Sequence, residues 1–336
     1  MSWSSRSRRP LTVIAAGGLS VGLAACGGVT TGSSGGDGDY PSGPISLVVG
    51  QDAGGSTDLI ARAVADGAQD AFGVSMPVEN QPGANGAIAT QQVAGQEPDG
   101  QRLVLLNASL ITITSLVVPE DEAVTLDDLD VIMGLSRDDY IMVANADTGY
   151  ETVDDIAADS GDLTYGTAGI GTGSQLAQLL LFNEAGIEGS EVPFDSGSPA
   201  LTAVMGGQVD VATIQVGEAM PQIEAGTVTP ITIFSDERNE YLEDVPTAQE
   251  EGYDVPVAQY RAVALPAGAS DEVKDTLREG LEEIVASESY QEFNESNYLT
   301  PVEISGEEVE AQWTELAETY AQQVEDNGLD LGGAGA

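Results

Sequence analysis

Histidine is absent from all 336 residues, lysine occurs once, as Lys274, and cysteine once, as Cys26. Without histidine there is no Ser-His-Asp triad, no Cys-His dyad and no histidine-ligated zinc or iron site. The single lysine and nine arginines stand against 56 acidic residues, a balance that makes nucleic acid and anionic membrane surfaces poor partners. Composition leaves carboxylate-pair chemistry and oxygen-ligated Mg or Ca open. However, Glu120-Asp121-Glu122 and Asp127-Asp128 lack the alternating acids and the glycine of an EF-hand, so they read as solvated acidic loops. Glycines at 166, 169, 171 and 173 miss the dinucleotide fingerprint spacing, and no Gly-Lys-Ser/Thr follows them. No metal and no cofactor is expected.

The N-terminal apolar run, Leu11 to Ala25, is too short for a confident membrane span. Arg6, Arg8 and Arg9 precede it, and it ends in Leu23-Ala24-Ala25-Cys26-Gly27, which resembles a bacterial or archaeal lipobox. Residues 1–25 therefore read as an export signal and Cys26 as the site of lipidation. Residues 26–39, rich in Gly, Ser, Thr and Asp, read as a tether. Ser7-Arg8-Arg9-Pro10-Leu11 also looks like a twin-arginine signal, leaving the twin-arginine and general routes both open. All 56 acids but only seven basic residues follow Cys26. That portion is long enough for two domains with cores, and a hydrophobic content of 41% argues against disorder despite the charge.

Gly54-Gly55-Ser56-Thr57-Asp58 lies between a strand-like run, Ile45 to Val49, and a helix-like run from Leu59. A glycine-hydroxyl turn there aims backbone N–H groups and hydroxyls at one point, reinforced by the positive end of the helix dipole, and can hold an anion without a cation. The helix over 58–72 carries Leu59, Ile60, Ala63, Val64, Ala68 and Ala71 on one face, with Gly73 as its stop. Strands follow near 74–78 and 102–106, with a short helix through Val93 between them, then strands over 131–135 and 140–143. Thr152 with Asp155 reads as a capping box. Strand 163–166, loop 167–174 and helix 175–185 repeat the opening plan. Strand 191–194, helix 199–205, strand 209–214, helix 218–224 and strand 228–234 continue it. Two helical stripes close the chain: Val273, Leu277, Leu281, Ile284 and Val285, then Val309, Trp313, Leu316 and Tyr320, both read as packing surface. The alternation predicts an α/β fold with open, mainly parallel sheets and ligands at the carboxyl ends of strands. Two glycine-hydroxyl turns far apart in sequence suggest two lobes across a cleft.

Tyr40-Pro41, the segment 53–62 around the first turn, Glu79-Asn80-Gln81-Pro82-Gly83-Ala84-Asn85-Gly86, Pro98-Asp99-Gly100, Gly206-Gly207-Gln208-Val209-Asp210, Asp244-Val245-Pro246-Thr247 and Leu265-Pro266-Ala267-Gly268 occur in this order. Together they resemble the tripartite tricarboxylate transporter substrate-binding proteins, also called the Bug family, over about residues 40–330. The resemblance implies a two-lobed, type II-like periplasmic-binding-protein fold. It also implies an extracytoplasmic receptor, not an enzyme, that closes on a small carboxylate and passes it to membrane permease subunits. Carried over, Gly54, Gly55, Ser56, Thr57 and Asp58 form one wall and Gly171, Thr172, Gly173 and Ser174 the other. Asn107, Ala108 and Ser109 form a further pocket segment, and Asp210 with 213–215 is expected near the cleft.

Where many relatives have a lysine before Gly-Ser, this chain has Asp195-Ser196 before Gly197-Ser198. Either the ligand is less anionic than a tricarboxylate, or amide dipoles suffice. Asp58 either caps its helix or meets an ammonium on an amino-acid ligand, while Tyr165, Phe194 and Tyr260 read as core. Two other readings are an acidic hydrolase using Asp58 and Asp210 and a structural or adhesion lipoprotein on the outer face of the membrane. Lobe one is expected to comprise 40–137 and 258–336, lobe two 138–257, with hinges near Arg137 and Gln259. A monomer is expected.

Such acidity with almost no lysine resembles proteins of salt-loving organisms, and at about 1 M salt the Debye length is roughly 3 Å. The fold is expected to loosen when salt is removed. A melting temperature that is the same in molar and in millimolar KCl would contradict this.

Overall fold

The computed structural model describes residues 40–159 and 162–332. The export signal, Cys26 and the tether lie outside them. Strand β1 (Ser46–Val49) leads into α1 (Ser56–Phe72), β2 (Val78–Asn80) into α2 (Ala87–Ala94), and β3 (Arg102–Asn107) into α3 (Ala108–Thr112). The long strand β4 (Leu129–Asn145) precedes α4 (Val153–Ala158), and β5 (Thr164–Thr167) with α5 (Gly173–Ala185) follows. The alternation continues with β6 (Ser190–Pro193), α6 (Gly197–Met205), β7 (Val211–Gln215), α7 (Val216–Glu224) and β8 (Val228–Ile233). The chain ends with β9 (Ala258–Pro266), α8 (Asp271–Val285), α9 (Glu288–Ser296), β10 (Thr300–Pro301) and α10 (Gly306–Asn327).

The strands run in the order β2-β1-β3-β9-β4-β7-β5-β6, with β8 and β10 also paired to β4. The expected parallel pairings form the two wings: β1 with β2 and β3, and β5 with β6 and β7. Antiparallel pairs concentrate in the middle, where the chain crosses from one wing to the other. Strand β4 pairs with β9 from Leu129 to Asp139, then with β7 from Tyr140 to Ala144.

The two strands expected over 131–135 and 140–143 are thus one strand of 17 residues. Ser136, Arg137, Asp138 and Asp139 read as a polar break, but their polar groups find partners inside the protein, so they can be buried in a continuous strand. The Ser136 hydroxyl donates to Asp138, Arg137 pairs with Asp139, and Asn239 donates to Asp139.

Each wing is covered on both faces. Helices α1, α8 and α9 cover one face of the first wing, with Ile60, Val64, Leu277, Leu281 and Ile284 against Leu47, Val49 and Leu105. Helix α2 and the start of α10 cover the other. On the second wing α5 packs on one face and α6 and α7 on the other. Within α1 the buried stripe holds Ala61 and Phe72, whereas Leu59, expected inside, is 39% exposed. Helix α10 starts at a capping box between Ser305 and Glu308, which satisfies its first backbone donors. Its stripe divides: Val309 and Trp313 join the first wing's core, Tyr320 and Val324 the second's, and Leu316 touches both.

Gly306 opens α10 directly against the β4 backbone, where an added Cβ would overlap the Val131 carbonyl oxygen. Helix propensity alone favours alanine over glycine by about 1 kcal/mol. Overpacking against a backbone that cannot yield reverses the sign, so Gly306→Ala is expected to destabilise by about 1–3 kcal/mol in urea denaturation.

Candidate functional site

A cavity of about 620 Å3 opens at the carboxyl ends of the parallel strands of both wings. The first wing supplies Gly50 to Asp52 after β1, Gly55 to Thr57 at the start of α1, and Pro82 to Asn85 after β2. From the second wing come Ala168 to Ile170 and Thr172 after β5, Pro193 at the end of β6 with Phe194 to Gly197 after it, and Ile214 and Gln215 at the end of β7 with Glu218 in α7. The crossing strands add Tyr140, Gln259 and Arg261.

At the first turn two backbone donors are already engaged. The Gly54 N–H donates to the Asp58 carboxylate at 2.8 Å and the Gly55 N–H to the Asp52 carbonyl at 3.4 Å. Asp58 also accepts from Arg62 and from Asn80, each at 2.9 Å. Burial raises its pKa, but the bonds from Arg62, the Gly54 N–H and Asn80 outweigh this and lower it. Asp58 is therefore a staple for its own turn and does not line the cavity, nor does Gly54; Gly55, Ser56 and Thr57 do.

Ser56 and Thr57 are held from below by the crossing strands. The Ser56 hydroxyl donates to Asp138 at 2.9 Å, and Arg261 reaches both the Thr57 hydroxyl and the Asp138 carboxylate at 3.1 Å. Arg261 is 2% exposed and its Nη1 has no hydrogen-bond partner. The Thr57 hydroxyl donates to Asn107, which, like Ala108 and Ser109, lies behind the wall. Ser109 instead positions a wall residue: its N–H donates to Gln259, whose amide returns a bond to the Ser109 hydroxyl.

The second turn is largely self-contained. Ser174 accepts from the Ala168 N–H and Gln175 from the Gly171 N–H, both at 2.8 Å, and Thr172 caps α5. Of the four residues expected here only Thr172 lines the cavity; Gly173 faces the Tyr140 ring, Gly171 faces Thr114 and Val117, and Ser174 is spent on the turn. The opposing wall comes instead from the segment after β6, including Phe194, expected in the core, and Asp195.

Asp210 is misplaced by the sequence reading. It precedes β7, which runs parallel to β5, so it sits at the amino ends of these strands, where its carboxylate accepts from the Thr164 N–H and hydroxyl. Ile214 and Gln215 at the other end of β7 do reach the cavity, while Thr213 bonds to Gln178 in the core. With Asp58 stapled and Asp210 at the far end of the sheet, the carboxylate pair of the hydrolase reading does not converge.

Sequence reasoning missed Glu218, Arg261 and the 82–85 turn as wall residues. An arginine within the apolar run of β9 was the available signal for Arg261. Glu218 follows a strand's carboxyl end. Its carboxylate lies against Gly197 at the start of α6, where an added Cβ would overlap Oε2, and within 3.8 Å of the Cβ position of Gly55. Burial pushes its pKa up to about 7, opposed by the Ser56 N–H, the Arg261 charge and the Ser198 hydroxyl. No hydrogen bond of ordinary geometry reaches Oε2.

Residues 60–325 match the tripartite tricarboxylate transporter family receptor. The chain belongs to this family. Its members are solute-binding receptors, not enzymes, that work outside the cytoplasm. A UPF0065 protein from the TAR-I ttuE-ttuC' intergenic region of Agrobacterium vitis is 31% identical over 72% of this chain and 71% of its own. The solved structure of the periplasmic binding protein BugD is 26% identical, covers 87% of this chain and 99% of its own, and superposes with a TM-score of 0.80. MatC from Rhodopseudomonas palustris, solved with bound malate, shares the fold at 23% identity, covering 85% of this chain and 100% of its own, with a TM-score of 0.78. The resemblance drawn from the motifs and the two-winged binding-protein fold are thereby both established. No helix of the described residues is long and apolar enough to cross a membrane.

Glu218 also sets a stability trend. Folded, it holds its proton up to about pH 7; unfolded, it releases it near the ordinary 4.5, so between these values the folded state binds more protons and loses stability as pH rises. Glu218→Gln removes that loss. In molar salt the variant is expected to gain about 3 kcal/mol over wild type at pH 8 and nearly nothing at pH 4.5, read from paired denaturation curves. Equal gains at both pH values would contradict the assignment.

Proposed function

We propose that this receptor captures a small carboxylate in the cavity between its wings and delivers it to the permease subunits of a tripartite tricarboxylate-type transporter. One observation carries the reading beyond family membership: a buried guanidinium with a free Nη1 stands in the wall of a cavity sized for a small metabolite. Guanidinium groups bind carboxylates through charge-assisted bonds. Gly55, Ser56, Thr57 and Thr172 add polar groups from the two turns, in keeping with the family resemblance.

In this reading residues 1–25 are removed on export and Cys26 carries the lipid that anchors a monomer to the outer face of the membrane. The lobes comprise 40–137 with 258–336, and 138–257, hinged near Arg137 and Gln259, with α10 shared between the two cores. Closure of the lobes around the ligand would couple binding to stability.

A calorimetric and thermal-shift screen of mono-, di- and tricarboxylates and amino acids in molar salt tests the proposal. One compound class is expected to bind 1:1 and, at about a hundredfold excess over its Kd, to add about 2.7 kcal/mol of stability. Absence of heat and of any shift across the whole panel would overturn it.

A further inference from the structure

We infer that Glu218 is a proton-controlled contact between the two wings: with its carboxyl group neutral the wings stay packed across it, and with the group charged they part. This rests on the proposed reading of the wings as two lobes joined by a hinge.

The placement of the group is the first reason. Glu218 stands on α7 of the second wing and reaches the mouth of α1 on the first. There its Oε1 lies 3.8 Å from the Cβ position of Gly55, and the Ser56 N–H faces it. On its own wing it meets Gly197 and the Ser198 hydroxyl at the start of α6. Neither helix is capped by the side chain of its own N-cap residue, Gly55 for α1 and Ser196 for α6. One carboxyl group thus stands between two helix starts, one from each wing.

The second reason is how the group is enclosed. Its Oε2 is sealed from solvent and has no hydrogen-bond partner. Gly197 packs on it so closely that a Cβ there would overlap, so water gains the carboxylate from the side of α1, by the wings moving apart. Beside it α7 rests on the first wing through Gly217, against the Asn297 carbonyl, a neutral contact.

The charges around it are the third reason. Arg261 acts on it from β9, but that guanidinium is matched by Asp138 on β4. The Tyr140 hydroxyl, also from β4, is neutral, and Asp52 ahead of α1 and Asp195 ahead of α6 line the same cavity. Glu218 thus meets one cation, already paired, and three other acids. A sealed charge in that company favours the arrangement that rehydrates it. With the wings together Glu218 keeps its proton up to about pH 7; parted, it releases it near the ordinary 4.5, so closing takes up a proton and rising pH favours opening. Each pH unit of that gap is tenfold, so the closed-to-open ratio falls by up to about 300-fold across it.

The test measures the separation of the wings without ligand. Spin labels at Gln69→Cys on α1 and Met205→Cys at the end of α6, both exposed positions, are placed in the full chain with Cys26→Ser. Their distance distribution is read by pulsed electron resonance in molar salt at about pH 5 and about pH 8.5. The longer distance is expected to gain at least about tenfold over the shorter one at the higher pH, and Glu218→Gln to hold the shorter distance at both. A wild-type distribution indifferent to pH would overturn the inference. So would the same response in the variant, which would assign it to another group. Lengthening accompanied by loss of near-ultraviolet circular dichroism would be unfolding and would overturn it as well. None of these outcomes touches the carboxylate reading, which the ligand screen decides separately.

Discussion

One buried guanidinium ties the chain together. Arg261 on β9 bonds Thr57 at the start of α1 and Asp138 on β4, and Ser56 donates to the same carboxylate. Three elements far apart in sequence are thereby fixed at the point where the chain crosses between wings. Removing one partner from such a pair leaves an uncompensated buried charge, a loss of about 3–5 kcal/mol. With ten basic residues in all, the placement of this one decides how the mouth of α1 sits over the sheet.

That arrangement changes what recognition can rest on. Helix N-termini ordinarily offer free N–H groups to an anion, but here Asp58, the Asp52 carbonyl and Glu218 lie at the mouth of α1 as the protein's own acceptors. The helix dipole is thus spent partly on ordering the turn. In the proposed reading of the cavity, discrimination between solutes falls to side chains carried by the segments after β2 and β6, by α7 and by the crossing strands.

The layout of the wings was legible because each βα unit announces itself locally, through an apolar run, a glycine-hydroxyl turn and an amphipathic stripe. Such signals placed α1, α5 and α10 and the turns that border the cavity. Long-range pairing was not legible. Ser136 to Asp139 look like a loop until Arg261 and Asn239, a hundred residues or more away, supply their partners. Local polarity also misassigned Asp58 and Asp210, since a carboxylate before or after a glycine reads the same whether it faces a ligand or its own backbone. Glu218 gave no signal, because its role comes from its closeness to Gly197 and to the Gly55-Ser56 turn, which no spacing rule brings together.

Helix α10 gives the molecule a splint. At 22 residues it extends about 33 Å, rooted by Trp313 in one core and by Tyr320 in the other. Two strands alone would allow the wings to twist or part freely about their crossing. With a rigid rod lodged in both interiors, parting them requires drawing an aromatic ring out of one core or bending the rod itself. Any motion of the wings that keeps both rings seated avoids that cost.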